Sequence, residues 1–514
     1  MGKEGYVLAV DIGTSMLKAG LVDVSDFTVK VKVSERASFN APRHGWAEVD
    51  PEGLWAEVSR LVSEVAGPYY GLIRGLTVSG HMAGVVPIDK SGSPLRNLII
   101  WLDERAAGYP RELWSGFPKF KGYNFARLVE FLLITGGAPS RTGKDPLSKM
   151  DWIRHNEPEV WRRTFKILGT NGFIIFKLTG NHVISPDEAC LTWLLDRGDR
   201  WSLRLLRRYN MPLEFLPRIS KSTDIAGYVL GEVSRDLNVP PNTPVIVGSG
   251  DLTSAAVGSG AVGEGELHVY IGTSSWVAGH ISRRKVDLLH YIGSIPSAIP
   301  GMYLLVAEQE IAGGALDHIM KLLGVEGNYG LVEELASKAA PGSRGLIFAP
   351  WLYGERAPID DPEVRGALIG LSLDHGRSDV LRAVMEGVAL NIKWSHTYME
   401  KIVGPRNSVN IVGGGAKSEL WCQIIANTLN KLVYRIREPE NSTLRGSAMI
   451  ASVALGIVPD FKSAASRLAV DKEFKPDKEQ AQTYHSLFKE YIKIYGRLKE
   501  TFYKLGELRR VTAG

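Results

Sequence analysis

Two short stretches constrain this 514-residue chain more than any others. "VLAVDIGTSMLKAGLVD" runs from Val7 to Asp23, and "ELHVYIGTSSWVAGHI" from Glu266 to Ile281. Each is an apolar run, then Ile-Gly-Thr-Ser, then a second apolar run. Apolar runs of strand length around a small-residue turn read as a β-hairpin. The first turn begins at Ile12 and the second at Ile271, about half a chain later. A turn repeated in the same context predicts two similarly built halves. The residue before the turn differs: Asp11 in the first copy, Tyr270 in the second.

The remaining pattern fits an α/β chain. "DPEGLWAEVSRLVSEVAG" predicts a helix capped by Asp50, opened by Pro51 and ended at Gly67. Its apolar face carries Leu54, Val58, Leu61, Val62 and Val65. "GLTVSGH", "PVIVGSG" and "VNIVGGG" read as buried strands, and "SELWCQIIANTL" as a helix. A composition shift near 240–250 places the domain boundary there, giving 1–246 and 247–514, with the last helices free to cross back.

Composition is ordinary for a globular protein: 44% hydrophobic, 23% charged and a net charge of +5. A surplus this small predicts neither a nucleic-acid nor a membrane partner. Cys190 and Cys422 are too far apart in sequence to suggest a disulfide framework or a zinc site. With no secretory signal and no long apolar run, the chain is expected in the cytoplasm.

Turns rich in Gly, Thr and Ser bring N–H groups and hydroxyls together, which suits phosphate oxygens. Gly13, Thr14 and Ser15 form one such set, Gly272 and Thr273 the other. The two hairpins are expected to grip one polyphosphate in a shared cleft. A carboxylate beside phosphates calls for a cation, so Asp11 points to Mg²⁺ or to simple turn capping. Lys18 is either a phosphate contact or a solvated strand residue. Gly413, Gly414 and Gly415 end a strand ahead of a helix, where a ligand can approach the backbone. Asp251 follows Gly248-Ser249-Gly250 and is either a catalytic carboxylate or a helix cap. Small Ser254, Ala255 and Ala256 after it leave room for a substrate.

Together these segments resemble the actin, hexokinase and heat-shock ATPase superfamily, and within it the FGGY carbohydrate kinases. "DIGTS" is similar to that family's first phosphate turn, "YIGTSS" to its second, and "VGGGAKSELWCQIIAN" to its adenosine loop. "GSGD" at 248–251 looks like the segment with its catalytic Asp. "GALIGLSLDHGRSDVLRAVME", from Gly366 to Glu386, matches its C-terminal signature. "HGWAEVDPEGLW", "IIWLDERA" and "FAPWLYGERAPIDDPEVRG" look most like xylulokinases.

The resemblance implies two ribonuclease H-like, actin-like ATPase domains flanking a central cleft. It implies phosphoryl transfer from ATP with Mg²⁺ to a small-molecule sugar, a ketopentose such as xylulose. Asp251 would take the hydroxyl proton. Gly414, Gly415 and Ala416 would flank adenosine. His81, Met82, Asp103 and Asp251 would meet the sugar, with Trp101 over its face; read from the residues alone, Asp103 is otherwise a loop salt bridge with Arg105, His81 a packed hinge residue and Trp101 a core residue. Two departures fall at the sugar. Xylulokinases usually read Gln-Met-His where this chain has His81-Met82-Ala83, and many read Trp-Asn-Asp where it has Trp101-Leu102-Asp103. The alternatives are another acceptor (ribulose, gluconate, a deoxy-ketose, a polyol or glycerol) or a non-kinase actin-like ATPase. Glu355 and Arg356 are expected to pair between domains, and a homodimer is the assembly considered.

Overall fold

Tyr6–Ile12 (β1) is almost wholly buried and apolar apart from Asp11. β-branched and long apolar side chains on both faces suit a central strand. The computed structural model describes residues 5–512. β1 pairs antiparallel with Met16–Asp23 (β2), forming the expected first hairpin, and β2 pairs with Val29–Arg36 (β3). On its other side β1 runs parallel to Ile73–Gly80 (β4). Ile225–Tyr228 (β5) and Pro244–Gly250 (β6) complete the sheet, in the order β5-β6-β4-β1-β2-β3. Pro51–Ala66 (α1) covers it, starting at Pro51 with the Asp50 carboxylate accepting the Glu52 N–H. The five predicted apolar residues of α1 are all buried, each contributing about 2 kcal/mol of transfer free energy.

This first unit comprises 1–258, 295–302 and 443–467. Its limit differs from the boundary expected after residue 246, which falls inside β6. That strand pairs in parallel with β4, so the sheet holds it, and Asp251–Gly258 (α5) stays with it. The returning segment is 443–467, not the last helix. Helix Ser442–Ala454 packs tightly on α5: a Cβ at Gly446 would lie 1.8 Å from the Ser254 carbonyl oxygen. Ser447 Oγ also donates to Ser254 Oγ at 3.2 Å. The small residues 254–256 are therefore buried against a helix and do not make room for substrate.

The second unit comprises 259–294, 303–442 and 468–514. Leu267–Ile271 (β7) and Ser275–Ile281 (β8) form the second hairpin. Six strands of its sheet run in the order β9-β8-β7-β10-β11-β12, where β9 is Tyr303–Gln309, β10 Ser408–Val412, β11 Leu432–Ile436 and β12 Val470–Phe474. The long Arg377–Val403 helix packs on this sheet with Glu419–Leu429. Lys478–Thr512 stays in the same unit, where Tyr484 donates to Glu386 at 2.7 Å and accepts from Arg382 at 3.1 Å.

Candidate active site

Three parallel strands of the first unit end level with one another. Ile12 pairs with Gly80, and Gly80 pairs with Gly250. The next residues, Gly13, His81 and Asp251, therefore leave the sheet side by side. The carboxyl edge of parallel strands is where α/β folds place ligands.

The first turn is partly open to solvent at Gly13 and Thr14 and exposed at Ser15. Gly13 donates to the Met16 carbonyl at 3.0 Å. Trp101 Nε1 donates to Thr14 Oγ1 at 2.8 Å, so this indole meets the first hairpin turn rather than standing apart as a core residue. Asp11 is buried and lies directly across the hairpin from Lys18, whose Nζ reaches its Oδ2 at 3.1 Å. The alternatives drawn for these two residues thus meet in one ion pair.

His81 is only 4% exposed. Its Nδ1 and Thr170 Oγ1 are 3.2 Å apart. Burial, helped by the Lys149 charge, pulls its pKa down to about 4, so the ring is neutral at ordinary pH. Met82 packs on the neighbouring turn, where a Cβ at Gly250 would lie 2.4 Å from its Cγ. Ala83 has φ +61. Its carbonyl accepts from Lys149 Nζ at 2.8 Å, and the same ammonium reaches the Ile100 carbonyl at 2.9 Å. Lys149, on helix Pro146–Asn156 (α2), is fully buried, and desolvation pushes its pKa down to about 7.

Asp103 does not present a sugar-binding surface. It is 0% exposed. Its oxygens accept from Arg105 Nε at 2.9 and 3.0 Å, from Arg105 Nη2 at 2.7 Å and from the Ala47 N–H at 2.6 Å. Arg105 in turn stacks 3.7 Å over the Trp46 ring. The salt bridge with Arg105 accounts for this carboxylate, and the substrate role expected of it is withdrawn.

Asp251 opens α5 and is partly exposed, with Oδ1 accepting the Leu252 N–H at 2.8 Å. Around it lie residues that the motifs did not single out. Thr170 and Asn171 begin helix Thr170–Thr179 (α3), and Asp187 and Glu188 lie in helix Pro186–Cys190 (α4). Asn171 Nδ2 donates to the Ser249 carbonyl at 3.2 Å, and Asp187 Oδ2 accepts the Gly250 N–H at 2.8 Å. Burial raises the pKa of both acids. For Glu188 the neighbouring charges of Asp187 and Asp251 add to it, and the value is pushed up to about 8. Like charges in so small a space cannot all ionise readily, and Glu188 keeps its proton at pH 7. The adjacent acids of "SPDEAC" were the only available hint.

In the second unit Gly272 donates to the Ser274 carbonyl at 2.8 Å, and the Thr273 carbonyl accepts from Ala312 at 2.7 Å. Gly413 has φ +96, and a Cβ there would sit 2.4 Å from the Ile271 carbonyl oxygen. Gly414 faces open space. Ser418 caps the following helix through the Trp421 N–H at 3.1 Å. Ala416 is fully buried in the apolar core, so it offers a ligand backbone and no side-chain surface. Glu355 and Arg356 also differ from expectation. Arg356 pairs with Glu308 and Glu310, and Glu355 accepts the Glu310 N–H at 2.9 Å. All four lie in the second unit.

Comparison with known proteins decides the family. The model for the N-terminal domain of the FGGY family of carbohydrate kinases matches residues 6–258, and that for its C-terminal domain matches 267–455. The chain belongs to the FGGY family of carbohydrate kinases. It is 29% identical to the xylulose kinase of Staphylococcus xylosus, across 95% of this chain and 99% of that one. It is 25% identical to the gluconokinase of Bacillus subtilis, across 98% of each. Among solved structures, a gluconate kinase and a ligand-bound xylulose kinase from Lactobacillus acidophilus both give a TM-score of 0.87 at 26% identity, covering 98% of this chain and all of theirs. As an FGGY kinase the chain has the actin-like ATPase fold expected of it. It is a phosphotransferase acting on an alcohol group of a small-molecule sugar, with ATP as donor. Among the described residues, no helix is long and apolar enough to cross a membrane.

Proposed function

We propose that this kinase phosphorylates a hydroxyl of a ketopentose such as xylulose, with Asp251 accepting the hydroxyl proton. The observation that carries the proposal is the placement of Asp251 at the carboxyl edge of β6, level with the His81–Met82 turn and the Gly13–Ser15 turn. Phosphoryl transfer asks the protein for positioning, charge neutralisation and one proton acceptor. Gly13, Thr14, Ser15 and Lys18 are the phosphate donors of the first unit. Gly272, Thr273, Gly414 and Gly415 supply nucleotide-facing backbone in the second. Neutral His81 and Met82 line the acceptor side, with Trp101 tying that side to Thr14.

Asp11 fits Mg²⁺. Among the described residues no cluster of three or more His, Cys, Asp or Glu could cage a metal. A single carboxylate next to a phosphate turn suits an ion that keeps its waters and takes other oxygens from phosphates. Bound there, Mg²⁺ would neutralise charge on the transferring phosphate. The Asp11 carboxylate would orient it, and Lys18 would be freed toward a phosphate oxygen.

A second reading, a gluconate kinase, rests on the equal structural match to the gluconate and xylulose kinases and on Ala83 at the position where xylulokinases carry His. ADP release across xylulose, ribulose, gluconate and glycerol separates the two. Xylulose is expected to give the highest kcat/KM, and a preference for gluconate would replace the first reading. Asp251→Asn should lower kcat by at least about 10³-fold while ATP binding persists. Near-normal turnover of that variant would overturn the assignment.

A further inference from the structure

The peptide group joining Ser249 to Gly250 is held at both ends by side chains. Its carbonyl accepts from Asn171 Nδ2 at 3.2 Å, and its N–H donates to Asp187 Oδ2 at 2.8 Å. Both side chains belong to completely buried residues from different helices, α3 and α4. Burying a polar side chain is costly unless it makes hydrogen bonds, and each of these two spends one on the same peptide.

The sheet pairing just ahead of this peptide is irregular. The pairing of β6 with β4 shifts register between Ile246 and Ser249, and Gly248 has φ +68. Gly250 adds a second residue without a Cβ. A peptide next to glycine turns over with little steric resistance, and turning over would exchange the C=O and the N–H. Here it would break both side-chain bonds. The residue immediately after the clamped peptide is Asp251. The start of α3 also holds the adjoining turn, through Thr170 and His81.

We propose that Asn171 and Asp187 are positioning residues that fix the direction of the Asp251 carboxylate by clamping the Ser249–Gly250 peptide. The proposal rests on the reading of Asp251 as proton acceptor. It is tested with Asn171→Ala, Asp187→Ala, Asp187→Asn and Asp251→Asn, using ATP and xylulose, or gluconate where the acceptor panel selects it. The two alanine variants should lose about 10- to 100-fold in kcat, since a misplacement of about 1 Å can cost that much. Their KM for ATP should stay within about twofold of wild type, because the clamp acts on the proton acceptor alone. Asp187→Asn keeps an oxygen that can accept the Gly250 N–H, so its kcat should recover to within about fivefold of wild type.

Alanine variants with wild-type kcat, or with ATP affinity and kcat falling together, would overturn the clamp. So would an Asp187→Asn enzyme as slow as Asp187→Ala. Should Asp187→Ala not fold, Asn171→Ala and Asp187→Asn carry the test: a slow first and a near-normal second support it, and a wild-type kcat in Asn171→Ala defeats it. An active Asp251→Asn would sink the parent reading. An inactive Asp251→Asn beside fully active clamp variants would sink only the clamp.

Discussion

The two sheets share one set of strand directions, and their orders differ only in that the last two strands of the chain are exchanged. In the first unit, β3-β2-β1-β4-β6-β5 pair antiparallel, antiparallel, parallel, parallel and antiparallel. In the second, β9-β8-β7-β10-β11-β12 do the same. The chemical differences lie at the strand ends. Ahead of the first turn the cross-strand pair is Asp11 and Lys18, an ion pair. Ahead of the second it is Tyr270 and Trp276, whose rings stack with centroids 3.8 Å apart. The turns also differ in length despite their shared letters. Ile12 pairs with Leu17, but Ile271 pairs with Ser275, one residue sooner. Next to the first hairpin, β4 runs out into His81 and Met82. Next to the second, β10 ends in glycines. One scaffold is used twice, with ionisable side chains at one edge and bare peptide at the other.

That division of labour can be broken experimentally. The largest contrast should come from Asp11→Ala against Tyr270→Leu. The first should lower kcat about 100-fold and raise the Mg²⁺ needed for half-maximal rate, and the second should leave kcat within about threefold. Equal losses in a steady-state assay would erase the distinction between charged and stacked hairpins.

Next comes the bare-peptide edge. Gly413→Ala forces a Cβ onto the Ile271 carbonyl at positive φ and should cost about 1–3 kcal/mol of stability. Gly414→Ala meets open space and should change stability by less than about 0.5 kcal/mol while raising the KM for ATP severalfold. Thermal melts with ATP titrations check both, and a Gly414→Ala enzyme with unchanged ATP affinity would remove that edge from the nucleotide site.

The smallest effect is confined to a pH window. The Glu188 pKa rises from 4.5 to about 8 on folding. The native state therefore holds a proton that the unfolded chain has released, and stability falls as pH rises through that window. Glu188→Gln removes the penalty, so its melting temperature should gain on wild type from pH 5 to about 8. Parallel melting curves across that range would show that Glu188 is not held protonated.

Both hairpins and the capped α1 were legible because the information is local: a turn, a cap and an apolar period. The place of Asp251 between a glycine-rich strand end and a helix was legible for the same reason. Asp103 carried two readings; its partner Arg105 stood two residues away in plain view, and only the burial that decides for the salt bridge did not. Ser254–Ala256 were small for the sake of a helix nearly two hundred residues later. Asn171 and Asp187 were invisible because each reaches its peptide from a separate helix more than sixty residues upstream. Nothing near Ser249 announces them, since the parallel strands and their crossovers create the neighbourhood.

The return of 443–467 to the first unit has a consequence for synthesis. A ribosome reaches Gly258 with the first sheet's strands all made, yet the helix that seats on Ser254 is still unwritten. The first domain is completed only after most of the second has emerged, so nascent chains carry an uncovered α5 face through much of translation. A gene cut at the apparent domain border would leave that face permanently bare.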